Sequence, residues 1–274
     1  MTFHQRTEKA LAHSSVCVGL DPDPDLIPAI LKSESNPVLA FNRALIDATV
    51  DVVGAYKPNF AFYEAMGSAG WQTLTDTVKH IRSRSDKVII IADAKRGDIG
   101  NTSSKYAQAI LQKMDFDCIT INPYMGRDSV EPFIQDENKG AFVLCLTSNN
   151  GSENFQRLDV GGVKSYEIVA ANILKWNKLN NCGLVVGATH PDEMLRIRSI
   201  SGKMPFLVPG IGAQAGNLES VVKANWDGEK VNAFINSSRA VIYASSEQDF
   251  AERARAEVLA LKQAIELIVA GIKK

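Results

Sequence analysis

Short apolar runs recur along the chain, each followed by a polar or glycine-bearing junction and then by a longer stretch with apolar residues three and four apart. Runs that do not alternate and are rich in Ile, Val and Leu have the pattern of strands buried on both faces. Six come first: "SVCVGLD" near 15–21, "VGAYKPNF" near 53–60, "KVIIIADAK" near 87–95, "CITINPY" near 118–124, "AFVLCLTS" near 141–148 and "GLVVGAT" near 183–189. "PFLVPGIG" near 205–212 follows, and a last strand lies within "KVNAFINSSRAVIYAS", 230–245. Between them, "PVLAFNRALIDATVDVV", "GWQTLTDTVKHIRSR" and "SYEIVAANILKWNKL" carry helical spacing. Strict alternation of strand and helix calls for parallel strands joined by right-handed crossovers. Eight such units in about 250 residues predict a (β/α)8 TIM barrel.

An open doubly wound sheet is the alternative, because "GIGAQA", 210–215, formally matches the dinucleotide fingerprint. That fingerprint belongs on the first βα unit, with an acid on the second strand, and here it follows the seventh strand. No internal repeat, low-complexity tract or Pro- and Ser-rich linker marks a boundary, so a single barrel domain over residues 1–274 is expected.

Composition narrows the partners. The formal charge of −1, from 30 Lys and Arg against 31 Asp and Glu, provides no field for nucleic acid or an anionic membrane. Small molecules or a second copy of the chain fit better. Cys17, Cys118, Cys145 and Cys182 lie far apart beside apolar stretches and read as buried thiols in a reducing compartment. With no apolar signal core in "MTFHQRTEKALAHSS" and no run near the ~20 apolar residues of a membrane helix, a cytoplasmic protein is expected.

The chemistry gathers at strand ends. "IIADAKRGDIGNT", 90–102, sets Asp93, Lys95, Arg96 and Asp98 at the mouth of a buried strand. In a barrel, residues just past each strand's C-terminal end face one pocket, and Asp21, Lys57, Asp93 and Lys95 all fall there. In an extended strand Asp93 and Lys95 point the same way while Ala94 faces the helices. Lys57, one strand away at about 4.8 Å, can reach Asp93 from its other side. Desolvation makes buried ion pairs poor stabilisers, so this concentration of charge points to function. A Lys flanked by carboxylates is held as ammonium and can donate a proton. A Schiff-base Lys needs the neutral amine, so the pattern favours Lys95 as an acid. After the seventh and eighth strands, "VPGIGAQAGN" and "NSSR" offer loop amides and the Arg239 fork where barrels often bind phosphate.

These motifs resemble those of the orotidine 5′-phosphate decarboxylase family in its longer bacterial-type form. The resemblance rests on "DAKRGDIGNT" with its D-x-K-x-x-D spacing, "YKPN", "GLDPD", "NPYMGRDSVEPF", "TSNNGS" and "VPGIGAQAGN", and runs from about residue 14 to 246. It implies a (β/α)8 barrel acting as a homodimer, with no metal and no organic cofactor, that converts orotidine monophosphate to UMP in pyrimidine synthesis. It further implies that Lys95 protonates C6 and that Asp93 sits beside the departing carboxylate. Lys57 would link Asp93 to the ribose hydroxyls, Asp21 would bind the ribose, and Asp98 and Thr102 would reach into the partner subunit's site. Ser148 would contact the pyrimidine amide, Pro209 would lie beside the base, and Gln214 and Arg239 would hold the phosphate.

Two positions depart from the family pattern and bear on loop geometry. Ser238 stands where Gly commonly precedes the phosphate-binding Arg, and Asn150 stands where Pro is frequent. The resemblance also moves the eighth strand to about 231–237. Metal-dependent sugar-phosphate enzymes of the same superfamily, such as keto-gulonate phosphate decarboxylase, share D-x-K-x-x-D but carry a Glu on the second strand that helps hold magnesium. Lys57 occupies that strand here, and a cation beside Asp93 opposes a divalent ion. A barrel that only binds a nucleotide has no need of a Lys between two carboxylates.

Overall fold

The computed structural model of the chain describes residues 1–211 and 216–273. Eight parallel strands close into a barrel: Val16–Leu20, Ala55–Pro58, Ile89–Arg96, Cys118–Ile121, Gly140–Leu146, Cys182–Val186, Phe206–Val208 and Ala233–Ser237, the first to the eighth in chain order. Each pairs with its neighbours in sequence, and the first closes on the eighth with Val16 opposite Ile235 and Val18 opposite Ser237. The expected (β/α)8 barrel is therefore the fold. The eighth strand ends at Ser237, and "RAVI" begins the short helix Arg239–Ile242, where the family resemblance put the boundary. Outside the barrel, Asp159–Val160 and Val163–Lys164 form a small antiparallel hairpin that the apolar pattern does not announce.

Alternation along each strand sorts side chains into two cores. Outward residues such as Val16, Val18, Leu20, Ile90, Ala92 and Ala94 join the helices in one large cluster. There the C-terminal helix Phe250–Ile272 packs on the helix Pro37–Thr49, with the Phe250 and Phe41 rings stacked 5.4 Å apart. The start of Pro37–Thr49 is fixed by Pro37 in its first turn and by the Asn36 side chain, which accepts the Leu39 N–H at 3.0 Å.

Inward residues build the second core. Cys17, Ala55, Ile89, Ile91, Cys118, Phe142, Val185, Leu207 and Phe234 meet Phe3, Ala10 and Leu11 of the N-terminal helix Phe3–His13. Phe3 seals the N-terminal end of the barrel against Gly140, where a Cβ would run into its ring. Burying one such Phe is worth roughly 1.5–3 kcal/mol. Toward the C-terminal ends the inward positions change character: Gly19, Lys57, Asp93, Thr120 and Asn236 follow Cys17, Ala55, Ile91, Cys118 and Phe234 two residues on. The barrel thus has an apolar floor and a polar mouth.

Candidate active site

Three neighbouring strands deliver the charges. Lys57, buried on the second strand, donates to Asp93 Oδ2 at 3.0 Å. Lys95 Nζ lies 2.6 Å from Asp93 Oδ1, and its side chain is 51% exposed. Asp21, just past the first strand, brings Oδ1 to 3.9 Å from Lys57 Nζ. That oxygen is buried and has no hydrogen-bond partner among the described residues. Burial opposes charge on Lys57, yet the Asp93 and Asp21 carboxylates outweigh it and hold its pKa above the usual lysine value. Burial likewise opposes the Asp93 carboxylate, but Lys57 and Lys95 bring its pKa down to about 2. Among the described residues no group of three or more His, Cys, Asp or Glu side chains comes together to hold a metal ion.

Asp93 and Lys95 do share a face, with Ala94 packed toward the helices, but regular strand geometry is not the reason. Ala92 pairs with Ile119 and Arg96 with Ile121, so four residue steps on the third strand oppose two on the fourth. The surplus forms a bulge in which Lys95 adopts a left-handed backbone, φ 46°. Such a conformation in a residue other than Gly costs on the order of 1–3 kcal/mol and persists only where its surroundings impose it. Here Thr120 accepts the Lys95 N–H at 2.9 Å and donates to Asp93 Oδ1 at 3.0 Å. Beyond the bulge, Arg96 pairs with Glu64 and its carbonyl accepts the Asn122 N–H at 2.8 Å.

An ammonium held against a carboxylate in a half-enclosed barrel mouth is equipped to deliver a proton to a carbon whose electron pair develops beside it. Comparison with known proteins gives that geometry a family. The family model described as "Orotidine 5′-phosphate decarboxylase / HUMPS family" matches residues 14–254. A relative from Flavobacterium johnsoniae named orotidine 5′-phosphate decarboxylase is 47% identical over 270 residues, 98% of each chain. The chain belongs to the orotidine 5′-phosphate decarboxylase family. A second member, from Azoarcus sp., is 47% identical over 253 residues, covering 92% of this chain and 93% of its own. The solved OMP decarboxylase of Leishmania donovani superposes with a TM-score of 0.82 at 34% identity, over 96% of this chain and 99% of that one. Membership in the decarboxylase family makes the chain a carboxy-lyase.

The remaining family positions are less tightly gathered. Asp98 is not part of the Lys57, Asp93 and Lys95 cluster: its Oδ1 caps the Ile99 N–H at 2.8 Å, and it makes no ion pair among the described residues. Thr102 is exposed on the first turn of the helix Gly100–Ala107. Ser148 stands exposed after the fifth strand beside Gly187 and Gly210, and the half-buried Pro209 accepts the Ala188 N–H through its carbonyl at 3.1 Å. Arg239 is exposed, and among the described residues its guanidinium makes no hydrogen bond. Gln214 lies outside the described residues.

Both departures from the family pattern have a local setting. Ser238 folds its hydroxyl over the first strand so closely that Gly19 could carry no Cβ, and it accepts from the Asn236 amide at 3.2 Å. Asn150 opens the 3-10 turn Asn150–Asn154. Thr120 and Asn236 escaped the sequence reading. The signal for them is a polar residue at an inward position of an otherwise apolar strand.

Proposed function

We propose that the chain decarboxylates orotidine 5′-monophosphate to UMP without metal or organic cofactor, in the cytoplasm, as a homodimer. The observation that carries this reading is the Lys57, Asp93 and Lys95 cluster, in which one carboxylate is clasped by two ammonium groups and one of them is exposed to the barrel mouth. The bond between C6 and the carboxylate breaks, carbon dioxide leaves, and the electron pair stays at C6 in an orbital that no carbonyl can delocalise. The Lys95 ammonium stabilises that pair electrostatically and then transfers its proton to C6, leaving a neutral amine that solvent reprotonates.

Asp93 faces the substrate carboxylate in the ground state, which is unfavourable by on the order of 4 kcal/mol for like charges about 4 Å apart at an effective dielectric of about 20. Departure of carbon dioxide removes that repulsion. Lys57 and Asp21 take the ribose hydroxyls, and Asp21 Oδ1, which has no hydrogen-bond partner among the described residues, is an acceptor suited to one of them. Ser148 and Pro209 line the base, and Gln214 and Arg239 hold the phosphate. Proton transfer alone supplies a factor of about 10²–10⁴, whereas very slow uncatalysed reactions need on the order of 20 kcal/mol. Remote phosphate contacts therefore contribute binding energy that is realised in the transition state.

Asp98 and Thr102 serve the site of a second copy. Support for the dimer comes from the apolar rim beside them, where Ile99, Tyr124, Met125 and Phe155 are exposed and the Tyr124 and Phe155 rings meet edge-on at 6.3 Å. A magnesium-dependent sugar-phosphate reaction is disfavoured because both oxygens of Asp93 are engaged by ammonium groups. Among the described residues no helix is long and apolar enough to cross a membrane.

The test follows the ultraviolet absorbance of orotidine 5′-monophosphate with purified protein in excess chelator, beside Lys95→Ala. Conversion that survives the chelator and vanishes in the variant is the expected result. Conversion that needs added magnesium, or that Lys95→Ala retains, overturns the reading.

A further inference from the structure

We propose that Thr120 is a positioning residue for the reaction, whose single hydroxyl fixes the left-handed backbone of Lys95 and the Asp93 carboxylate relative to each other. The inference rests on the decarboxylase reading above and goes beyond it, since no role for Thr120 follows from the charged motif.

The bulge takes the Lys95 N–H out of the regular strand ladder, because four residue steps face two across the third and fourth strands. An N–H left without a partner in this part-buried stretch is unfavourable, by up to about 1–3 kcal/mol where burial is complete, so a nearby acceptor is favoured. Thr120 Oγ1 does so at 2.9 Å and spends its own proton on Asp93 Oδ1 at 3.0 Å. A hydroxyl has one donor and two acceptor sites, so both bonds form at once. The same Asp93 oxygen receives Lys95 Nζ at 2.6 Å. Backbone nitrogen, hydroxyl, carboxylate and ammonium therefore form one closed circuit that starts and ends in Lys95.

Thr120 is suited to anchor that circuit. It is 1% exposed, lies on a short strand held between two others, and is β-branched, which limits its rotamers. The far side of the bulge is already tied by the Arg96 carbonyl to the Asn122 N–H at 2.8 Å. Without the hydroxyl, the stretch between Ala92 and Arg96 is free to relax from its left-handed turn. Alternation then moves the Lys95 side chain off its bearing, because each step along a strand reverses the face. Substrate binding, which uses other residues, is left in place.

The experiment compares wild type, Thr120→Val and Thr120→Ser in steady-state decarboxylation of orotidine 5′-monophosphate, with the UMP inhibition constant and thermal melting measured on each. A purely structural role predicts kcat, substrate binding and melting temperature falling together. The positioning role predicts a split. In Thr120→Val kcat falls about 10²-fold, as misplacement of a catalytic group by about 1 Å does. KM and the UMP constant stay within about threefold. Thr120→Ser, which keeps the hydroxyl, returns kcat to within about threefold of wild type. Wild-type kcat in Thr120→Val overturns the proposal. So does a loss of about tenfold or more in Thr120→Ser, even where Thr120→Val does not fold. Absence of turnover by the wild-type chain fails the decarboxylase reading itself and is seen before either variant is measured.

Discussion

Asp93 and Asp117 are both buried beside the third and fourth strands, each against two cationic side chains, at opposite ends of the barrel. At the floor, Asp117 Oδ1 receives Arg6 and Arg82, and Oδ2 receives the Ile90 N–H at 2.8 Å. Each guanidinium is held again by a carbonyl, Arg6 by that of Asn138 and Arg82 by that of Asp115. Such a planar fork can satisfy several acceptors at once, and here neither oxygen of Asp117 lacks a partner. At the mouth, Asp93 is bound by lysines. One is half exposed on a strained backbone, and the neighbouring Asp21 keeps an oxygen without a hydrogen-bond partner among the described residues. Burial and charge pairing are common to the two ends. What separates the two carboxylates is saturation and access.

The sharpest way to break that contrast is at the exposed cation. Lys95→Ala is expected to lower kcat by about 10⁴-fold or more, combining lost proton transfer with lost electrostatic stabilisation. Its melting temperature should hardly move, because the side chain is half exposed. A stopped assay with radiolabelled carboxylate reads the residual rate, and a variant within tenfold of wild type would sink the assignment. Asp117→Ala is the converse experiment. It strands two guanidiniums at the floor and should cost about 3–5 kcal/mol in urea unfolding, with kcat of the folded protein intact.

Smaller effects refine the picture of the mouth. If Arg239 holds the phosphate as proposed, Arg239→Ala should reduce kcat/KM for orotidine 5′-monophosphate by about 10²-fold with no change in stability, because among the described residues its exposed guanidinium makes no hydrogen bond. Near-normal efficiency would remove Arg239 from the site. The least effect is on acid stability. Asp93 titrates near 2 in the folded chain against 3.8 ordinarily, so its ionisation favours the folded state above pH about 4 and that advantage is lost as pH falls toward 2. It amounts to on the order of 2 kcal/mol, about 1 kcal/mol of which is gone by pH 3. Urea midpoints at pH 5 and pH 3 should therefore fall further for wild type than for Asp93→Asn. Equal slopes would mean that Asp93 is not held ionised by its lysines.

The barrel could be read from the sequence because buried parallel strands leave continuous runs of Ile, Val and Leu, as "VIIIA" does before Asp93. The charges at strand ends were legible for the same reason: they interrupt those runs. Thr120 was not, since its importance depends on the register between two strands, and nothing in "CITI" discloses a bulge across from it. The extended strand expected at Lys95 gave the right neighbours for a different reason. Asp117 and its arginines went unnoticed because Arg6 and Arg82 lie in helices remote in sequence, where solvated charge is the ordinary expectation. The eighth strand was hard to bound because "NAFINSSRAVIYAS" is apolar on both sides of Ser237, and only the short helix from Arg239 divides it.

The closure of the first strand on the eighth has a consequence for synthesis. Val16 waits for Ile235, so one edge of an apolar strand has no partner until almost the whole chain has been made. At roughly 5–20 residues per second that interval is about 10–40 s on the ribosome. Lys57, Asp93 and Lys95 belong to strands that emerge early, whereas the seam that shuts the barrel around them forms last. Such a far-separated pairing slows folding and leaves an adhesive edge open meanwhile. Overexpression should therefore reveal this protein's weakness as misassembly between nascent chains at the first strand, before any defect in the finished molecule.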